Sequence, residues 1–436
     1  MYLFKEILGI VWTIFTKAML VLSMYYMIIT YFGLIKFKDK KKFAPQKKFA
    51  MLVAAHNEEA VINGVVDSLH KIDYPKELYD IYVIADNCTD NTANVARNSG
   101  AIVYERTNKD KRGKGFALDW MFSNIFKMDK KYDAVVILDA DNLVAKNFLS
   151  EMNNKLCEGY EVVQGYLDSK NPTDTWITGN YSISFWTNNR MYQNARKNLH
   201  LSSQLGGTGF AVSTEVLKEL GWGATCLVED LEFSCKLVLN GKRVGYAHEA
   251  VVYDEKPLTL AQSWYQRKRW MQGFADVASR YFFKLIKRAV TKLDFKALDC
   301  AIYSIQPHIT ALSGLVVIVS LFMNWRAYLE DMYHISGILQ IISNIGNIAS
   351  SQNAFNVAIL SISAILILFQ IVYVPLVLFL EKKLSFKVLL YCLTFPVYLL
   401  TWIPICILGI LNKDKKEWNH TIHTRNVNIN ELEKVN

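Results

Sequence analysis

Asp139 and Asp141 stand two positions apart at the end of the apolar run 134–138, so both carboxylates can point to one side of a sheet edge. Paired oxygen donors of this kind suit a hard divalent cation, Mg2+ or Mn2+, which completes its shell with phosphates and water. Other reactive groups precede and follow in a fixed order. Asp86 lies in an Asn/Asp/Thr cluster after another apolar run, where it could accept from a base edge while its neighbours turn the chain and cap a helix. Lys114, between Gly113 and Gly115, could neutralise phosphate where the glycines allow close backbone approach, although the spacing is not that of a GxxxxGK[ST] loop. Glu229 and Asp230 open a helical stretch, a place where exposed amides favour acids and where a carboxylate could take a proton from an attacking hydroxyl. Asp230 is the preferred base, with Glu229 beside it. Gln266, Arg269 and Trp270 fall at i, i+3 and i+4 and share a helix face. The arginine offers a planar fork to a diphosphate and the tryptophan a flat apolar face to a sugar ring.

These groups need a scaffold, and the chain from 48 to about 245 supplies one. Near-continuous apolar runs at 49–55, 81–85 and 134–138 read as strands covered on both faces. Helical stretches at 58–70, 90–99 and 114–127 alternate with them, the βαβ rhythm of an α/β fold with a mostly parallel sheet. Ligands of such sheets bind at the carboxyl ends of the strands, where Asn57, Asp86 and Asp139 fall, so these residues are expected to share one site.

The rest of the chain is apolar or basic. Of 436 residues 52% are hydrophobic, and this mass gathers at the two ends. The uncharged run 18–35 is long enough for a retained membrane anchor, and the lysines that follow place residue 36 onward in the cytosol. Residues 259–290 interleave aromatic and basic side chains, as expected of helices lying in the headgroup region. Strong apolar segments follow at 301–323, 355–380 and 386–411, with a weaker one at 334–349. The net charge of +9 sits beside these segments, in 36–48 and 413–416, which favours a membrane flank over nucleic acid. The seven cysteines show no metal or disulfide spacing, consistent with a reducing compartment.

On these motifs the chain resembles the processive family 2 glycosyltransferases, the group of cellulose, hyaluronan and poly-N-acetylglucosamine synthases. The resemblance implies a GT-A-like catalytic domain and assigns roles by position. Asn57, Glu58 and Asp86 would hold the nucleotide, Asp86 at the uracil. Lys114, Arg269 and Gln266 would meet the diphosphate, and Asp139 and Asp141 nucleotide and metal. Asp230, with Glu229, would be the base. Trp270 and Gly207, Thr208, Gly209 and Phe210 would line the acceptor site, although the Phe-Phe-Cys form of cellulose synthases is missing.

The expected organisation is an anchor at 1–35, a cytosolic catalytic domain at 36–258, interfacial helices at 259–298, a membrane region at 299–411 and a charged tail at 412–436. A cyclic-di-GMP-binding domain is not expected in that tail. The expected activity is inverting transfer from a UDP-sugar, UDP-glucose first, onto a growing β-linked polysaccharide exported through a multi-pass plasma-membrane protein, with accessory export proteins unassigned. A UDP-N-acetylglucosamine polymerase, a nonprocessive lipid-linked transferase and a membrane scaffold or transporter with an inactive domain are the alternatives.

Overall fold

The computed structural model describes residues 2–35, 42–223, 226–333, 372–415, 425, 427 and 429–435. The chain opens with α1 (Tyr2–Tyr31), then β1 (Phe49–Ala55), α2 (Ile62–His70), β2 (Tyr79–Asp86), α3 (Thr92–Asn98), β3 (Ile102–Arg106) and α4 (Lys114–Ile125). It continues through β4 (Ala134–Asp139), β5 (Leu143–Val144), α5 (Phe148–Cys157), β6 (Val162–Ser169), α6 (Trp176–Thr187) and α7 (Ala195–Asn198). Next come β7 (Phe210–Ser213), α8 (Thr214–Leu220), α9 (Glu229–Leu239), β8 (Val244–Asp254), α10 (Leu260–Lys292), α11 (Phe295–Ser304) and α12 (Gln306–Tyr333), and helices Phe386–Leu400, Trp402–Leu411 and Ile429–Val435 follow.

Eight strands form one sheet in the order β3-β2-β1-β4-β7-β6-β8-β5. The period of two in β1 and β4 divides the core. Phe49, Met51, Val53, Ala134, Val136 and Leu138 pack on one face, while Ala50, Leu52, Val135 and Ile137 pack on the other. Helices cover both faces, so the strands bury nearly every side chain and read as unbroken apolar runs.

The sheet is mixed, which corrects the expectation of a mostly parallel one. β3, β2, β1 and β4 run parallel, but β7 is antiparallel to both β4 and β6, and β5 is antiparallel to β8. The reversal at β7 follows a loop with Gly207 at φ +81° and Gly209 at φ +65°, a conformation that glycine adopts without steric cost. A four-residue strand carries too little pattern for its direction to be read beforehand.

Among the described residues, two helices are long and apolar enough to cross a membrane, Trp12–Tyr31 within α1 and Phe386–Leu411. The expected segment 301–323 falls instead on α11 and α12, a pair bent by 62° at the break between them. Segment 334–349 and all but the last nine residues of 355–380 lie outside the described residues. The aromatic and basic stretch forms one helix of 33 residues, α10, started by a capping box between Thr259 and Gln262. Buried ion pairs tie these helices to the sheet domain. Arg196 grips Asp299 of α11 with two bonds of 2.8 Å, and Arg190 meets Glu381 at 2.9 Å.

Candidate active site

The carboxyl ends of β1, β2 and β4, the glycine loop before β7 and the start of α9 converge on one cleft. After β1 the chain turns at Asn57, whose φ of +56° is one that asparagine tolerates. Asn57 Oδ1 accepts the Thr89 N–H at 2.8 Å, and the Glu58 N–H donates to Thr92 Oγ1 at 2.8 Å. Asn57 and Glu58 therefore lace the end of β1 to the turn that carries Asp86.

Asp86 is buried at the end of β2, but its Oδ1 already accepts from the Arg106 guanidinium and from the Asn87 amide at 3.0 Å. Arg106 is the residue of β3 in register with Asp86, and its other nitrogen donates to the Lys111 carbonyl at 2.8 Å. Asp86, expected to accept from a base edge, is thus also held in an ion pair with Arg106. Arg106 was absent from the expected set, and only its position as the last residue of a strand beside Asp86 could have marked it.

Lys114 begins α4 directly after Gly113, which holds φ +110°. Its ammonium donates to Asp139 and, at 2.7 Å, to the Gly207 carbonyl. Burial alone would lower its pKa, but the neighbouring Asp139, Glu229 and Asp230 outweigh that cost and raise it, so the cation stays charged. The Asp139 N–H is shared between Asn142 Oδ1 and Thr208 Oγ1, each at 3.0 Å. Asp141 accepts the Glu255 N–H at 2.9 Å through Oδ2 and the Asn142 amide at 3.2 Å through Oδ1.

The aspartate pair suits a divalent cation. Asp139 is 39% exposed in its side chain, and the Lys114 ammonium resting on it shows that this carboxylate takes up positive charge. Among the described residues no third carboxylate, histidine or cysteine completes a ligand set. The remaining ligands would come from phosphate and water, as hard cations with few protein donors require.

Beyond Asp141 lies a pair that the sequence reading missed. Lys256, fully buried, places its ammonium 2.5 Å from Asp254 and 3.3 Å from the centre of the Phe185 ring. Burial pushes the Asp254 carboxyl up to about 6 against the opposing pull of Lys256. The nearby Asp141 and Asp139 push it the same way.

In the glycine loop, the Gln164 amide donates to the Thr208 carbonyl at 3.0 Å and the Gly209 N–H donates to Ile137 O at 2.9 Å. This fixes Gly207 and Thr208 beside the aspartate pair. Phe210 does not share that place, which corrects the expected acceptor contact. Its side chain is fully buried in β7 and stacks on Trp222, because the period of two that follows Gly209 turns it into the core. Phe210→Leu is therefore expected to lower Tm, by up to about 1.5 kcal/mol of stability for a repacked core swap, with the acceptor KM unchanged. Thermal unfolding and acceptor titration would separate the two effects.

Glu229 and Asp230 are the first residues of α9, as expected. Asp230 Oδ1 accepts the Leu231 N–H of the first turn at 2.8 Å, and a Cβ placed on Gly207 would stand 3.6 Å from Oδ2. The second oxygen thus faces the glycine loop. Desolvation followed by the adjacent Glu229 pushes Asp230 up to about 7. Glu229 is also raised by burial, although Lys114 and Arg269 pull it down.

Gln266, Arg269 and Trp270 share a half-buried face of α10, which lies close to the acid pair because Gly273 has no side chain. A Cβ there would come within 2.5 Å of Val228, the residue before Glu229. Arg269 acts on Glu229 electrostatically, whereas Trp270 packs edge-on against Tyr181, ring centroids 6.1 Å apart. The Tyr181 hydroxyl donates to Gln266 Oε1, and its ring stacks on Phe185 at 5.6 Å. Arg267, three residues before Trp270, reaches the same aromatic group from beside it. It is buried over Tyr398 and Trp402 and donates to Thr401 Oγ1 at 2.8 Å, fastening α10 to the apolar helix pair 386–411.

Residues 45–273 match the family model described as glycosyltransferase like family 2, more than half of the chain. The chain belongs to this family. It is a family 2 glycosyltransferase, and its cleft holds the acids and cations assembled above. The poly-beta-1,6-N-acetyl-D-glucosamine synthase of Staphylococcus epidermidis is 27% identical over 261 residues, 55% of this chain and 57% of that protein. The beta-monoglucosyldiacylglycerol synthase of Synechocystis is 27% identical over 237 residues, 51% of this chain and 47% of that protein. The alignments thus span about half the length of these relatives. Among solved structures, the mannosyltransferase PcManGT of Pyrobaculum calidifontis, in complex with GDP-Man and Mn2+, superposes with a TM-score of 0.57 at 17% identity. It covers 92% of this chain and 97% of that one, and it shares the fold.

Proposed function

We propose that the enzyme is a membrane-embedded, processive, inverting transferase that moves a hexose from a UDP-sugar to the end of a β-linked polysaccharide. The observation that carries this reading is the packing of the α10 face against the acid pair: a cation toward the diphosphate side and an aromatic cluster beside it. Such a cluster suits a sugar chain that must stay bound after each addition. UDP-glucose and UDP-N-acetylglucosamine are the donors proposed, the latter supported by the activity in the name of the staphylococcal relative.

In the proposed reaction the acceptor hydroxyl attacks the anomeric carbon from the face opposite the diphosphate. The new C–O bond forms as the bond from that carbon to the diphosphate oxygen breaks. UDP leaves with the bonding pair, and the hydroxyl proton passes to Asp230. A carboxylate near neutral pKa is matched to that task at cytosolic pH. Lys114 and Arg269 stabilise the charge on the departing diphosphate. A Mg2+ or Mn2+ ion held by Asp139 and Asp141 would neutralise the same phosphates.

We place Trp12–Tyr31 and Phe386–Leu411 across the plasma membrane, with the sheet domain on the cytosolic side and the polymer leaving through the enzyme's own helices. A single transfer to a lipid is the second reading, favoured by the Synechocystis relative. Product size separates the two. Purified enzyme with either donor is expected to release polymer that a linkage-specific hydrolase degrades. A product that stops at one sugar on a lipid would replace processive synthesis with the second reading.

A further inference from the structure

The turn between α10 and α11 presents to solvent what a folded protein normally hides. Phe283 is 79% exposed, Val290 70%, Leu293 91% and Phe295 50%, and Lys284, Lys287 and Lys292 stand exposed among them. Asp294, the one acid of the turn, is engaged by Arg288 at 2.8 Å, which leaves the surface cationic. Leu293 also closes α10 with φ +49°, a left-handed position where glycine or asparagine is usual. A leucine kept there and held out of the core is unfavourable twice over in water.

Contacts with the proposed spans fix its depth. Phe295 packs edge-on against Tyr25 of α1 with centroids 6.2 Å apart, and the Tyr25 hydroxyl donates to Asp299 at 2.5 Å. Tyr25 precedes the end of α1 by six residues, a rise of about 9 Å. Further back along α10, a Cβ on Gly409 would collide with Met271, and Gly409 lies two residues before the helix Trp402–Leu411 ends, a rise of about 3 Å. With both helices across the bilayer, α10 slopes inward from Met271 toward Leu293.

We infer that this turn is a docking element for anionic phospholipid: Phe283, Val290, Leu293 and Phe295 enter the acyl boundary and the three lysines meet acidic headgroups. It rests on the proposed placement of α1 and Phe386–Leu411 across the membrane. Insertion of such a face by about 5–10 Å agrees with the depth set by Tyr25. A lipid surface fits better than a protein partner, because the patch is continuous with a proposed span and alternates lysine with apolar side chains.

The test uses the full chain in nanodiscs whose acyl chains carry bromine near the headgroup, with tryptophan introduced singly by Leu293→Trp, Leu20→Trp in α1 or Glu105→Trp on the outer strand β3. The added fluorescence of Leu293→Trp is expected to be quenched like that of Leu20→Trp, and Glu105→Trp is expected to escape. Quenching at Leu293→Trp should strengthen when phosphatidylglycerol is added to phosphatidylcholine. Replacing Lys284, Lys287 and Lys292 with glutamine should remove that gain, at roughly fivefold in the inserted fraction per lysine. Quenching of Leu20→Trp without Leu293→Trp overturns this inference alone, whereas loss of both overturns the placement of α1 as well. Equal quenching of Leu293→Trp with and without phosphatidylglycerol overturns the preference for anionic lipid.

Discussion

Asp230→Asn is expected to slow glycosyl transfer by roughly 10²- to 10⁴-fold while donor binding stays near the wild-type value. The amide keeps the shape of the carboxylate and can still accept the Leu231 N–H in the first turn of α9, but it cannot take a proton. The same substitution is expected to stabilise the fold at alkaline pH. The Asp230 carboxyl sits at about 7 in the folded protein and at about 4 in the unfolded chain, so folding takes up a proton between those values. The stability this uptake contributes is present below pH of about 4 and is lost as pH rises through about 7. Asp230→Asn should therefore unfold at a higher temperature than the wild type at pH 8, with the difference shrinking toward pH 5. The wild-type kcat/KM should fall about tenfold per pH unit below 7, because the base must be ionised. Near wild-type turnover in Asp230→Asn would move the role to Glu229.

The second large effect is expected at the aspartate pair. Asp141→Asn keeps an oxygen for the Glu255 N–H, so the turn should hold. The loss of a carboxylate should nevertheless cut transfer by about 10³-fold at fixed Mn2+, since charge neutralisation by a metal is worth several kcal/mol in the transition state. Chelation should silence the wild type to a similar extent. Full activity in excess chelator would remove the metal from the mechanism and leave the phosphates to Lys114 and Arg269.

The sequence showed the acids and the parallel half of the sheet because both depend on short-range pattern. Buried strands such as Phe49–Ala55 announce themselves by composition, and Asp86 and Asp139 stand at strand ends where turns begin. What stayed hidden depends on distant partners. The ion pair of Asp86 with Arg106 needs two strands in register, twenty residues apart in the chain. The Tyr181 bond to Gln266 joins α6 to α10 across 85 residues. Lys256 belongs to no motif, and only the packing of Phe185 and Asp254 around it reveals a buried cation. Phe210 failed for a simpler reason. A loop motif predicts where the backbone goes, but the residue after the last glycine already belongs to β7 and obeys its alternation.

The most direct test of UDP-sugar-dependent transfer at this cleft is UDP release from the purified chain, measured over a panel of nucleotide sugars with Mn2+. Release is predicted from UDP-glucose or UDP-N-acetylglucosamine, coupled to growth of a polymer and abolished in Asp230→Asn. Release from GDP-mannose alone, or release from a UDP-sugar that persists undiminished in Asp230→Asn, would contradict it.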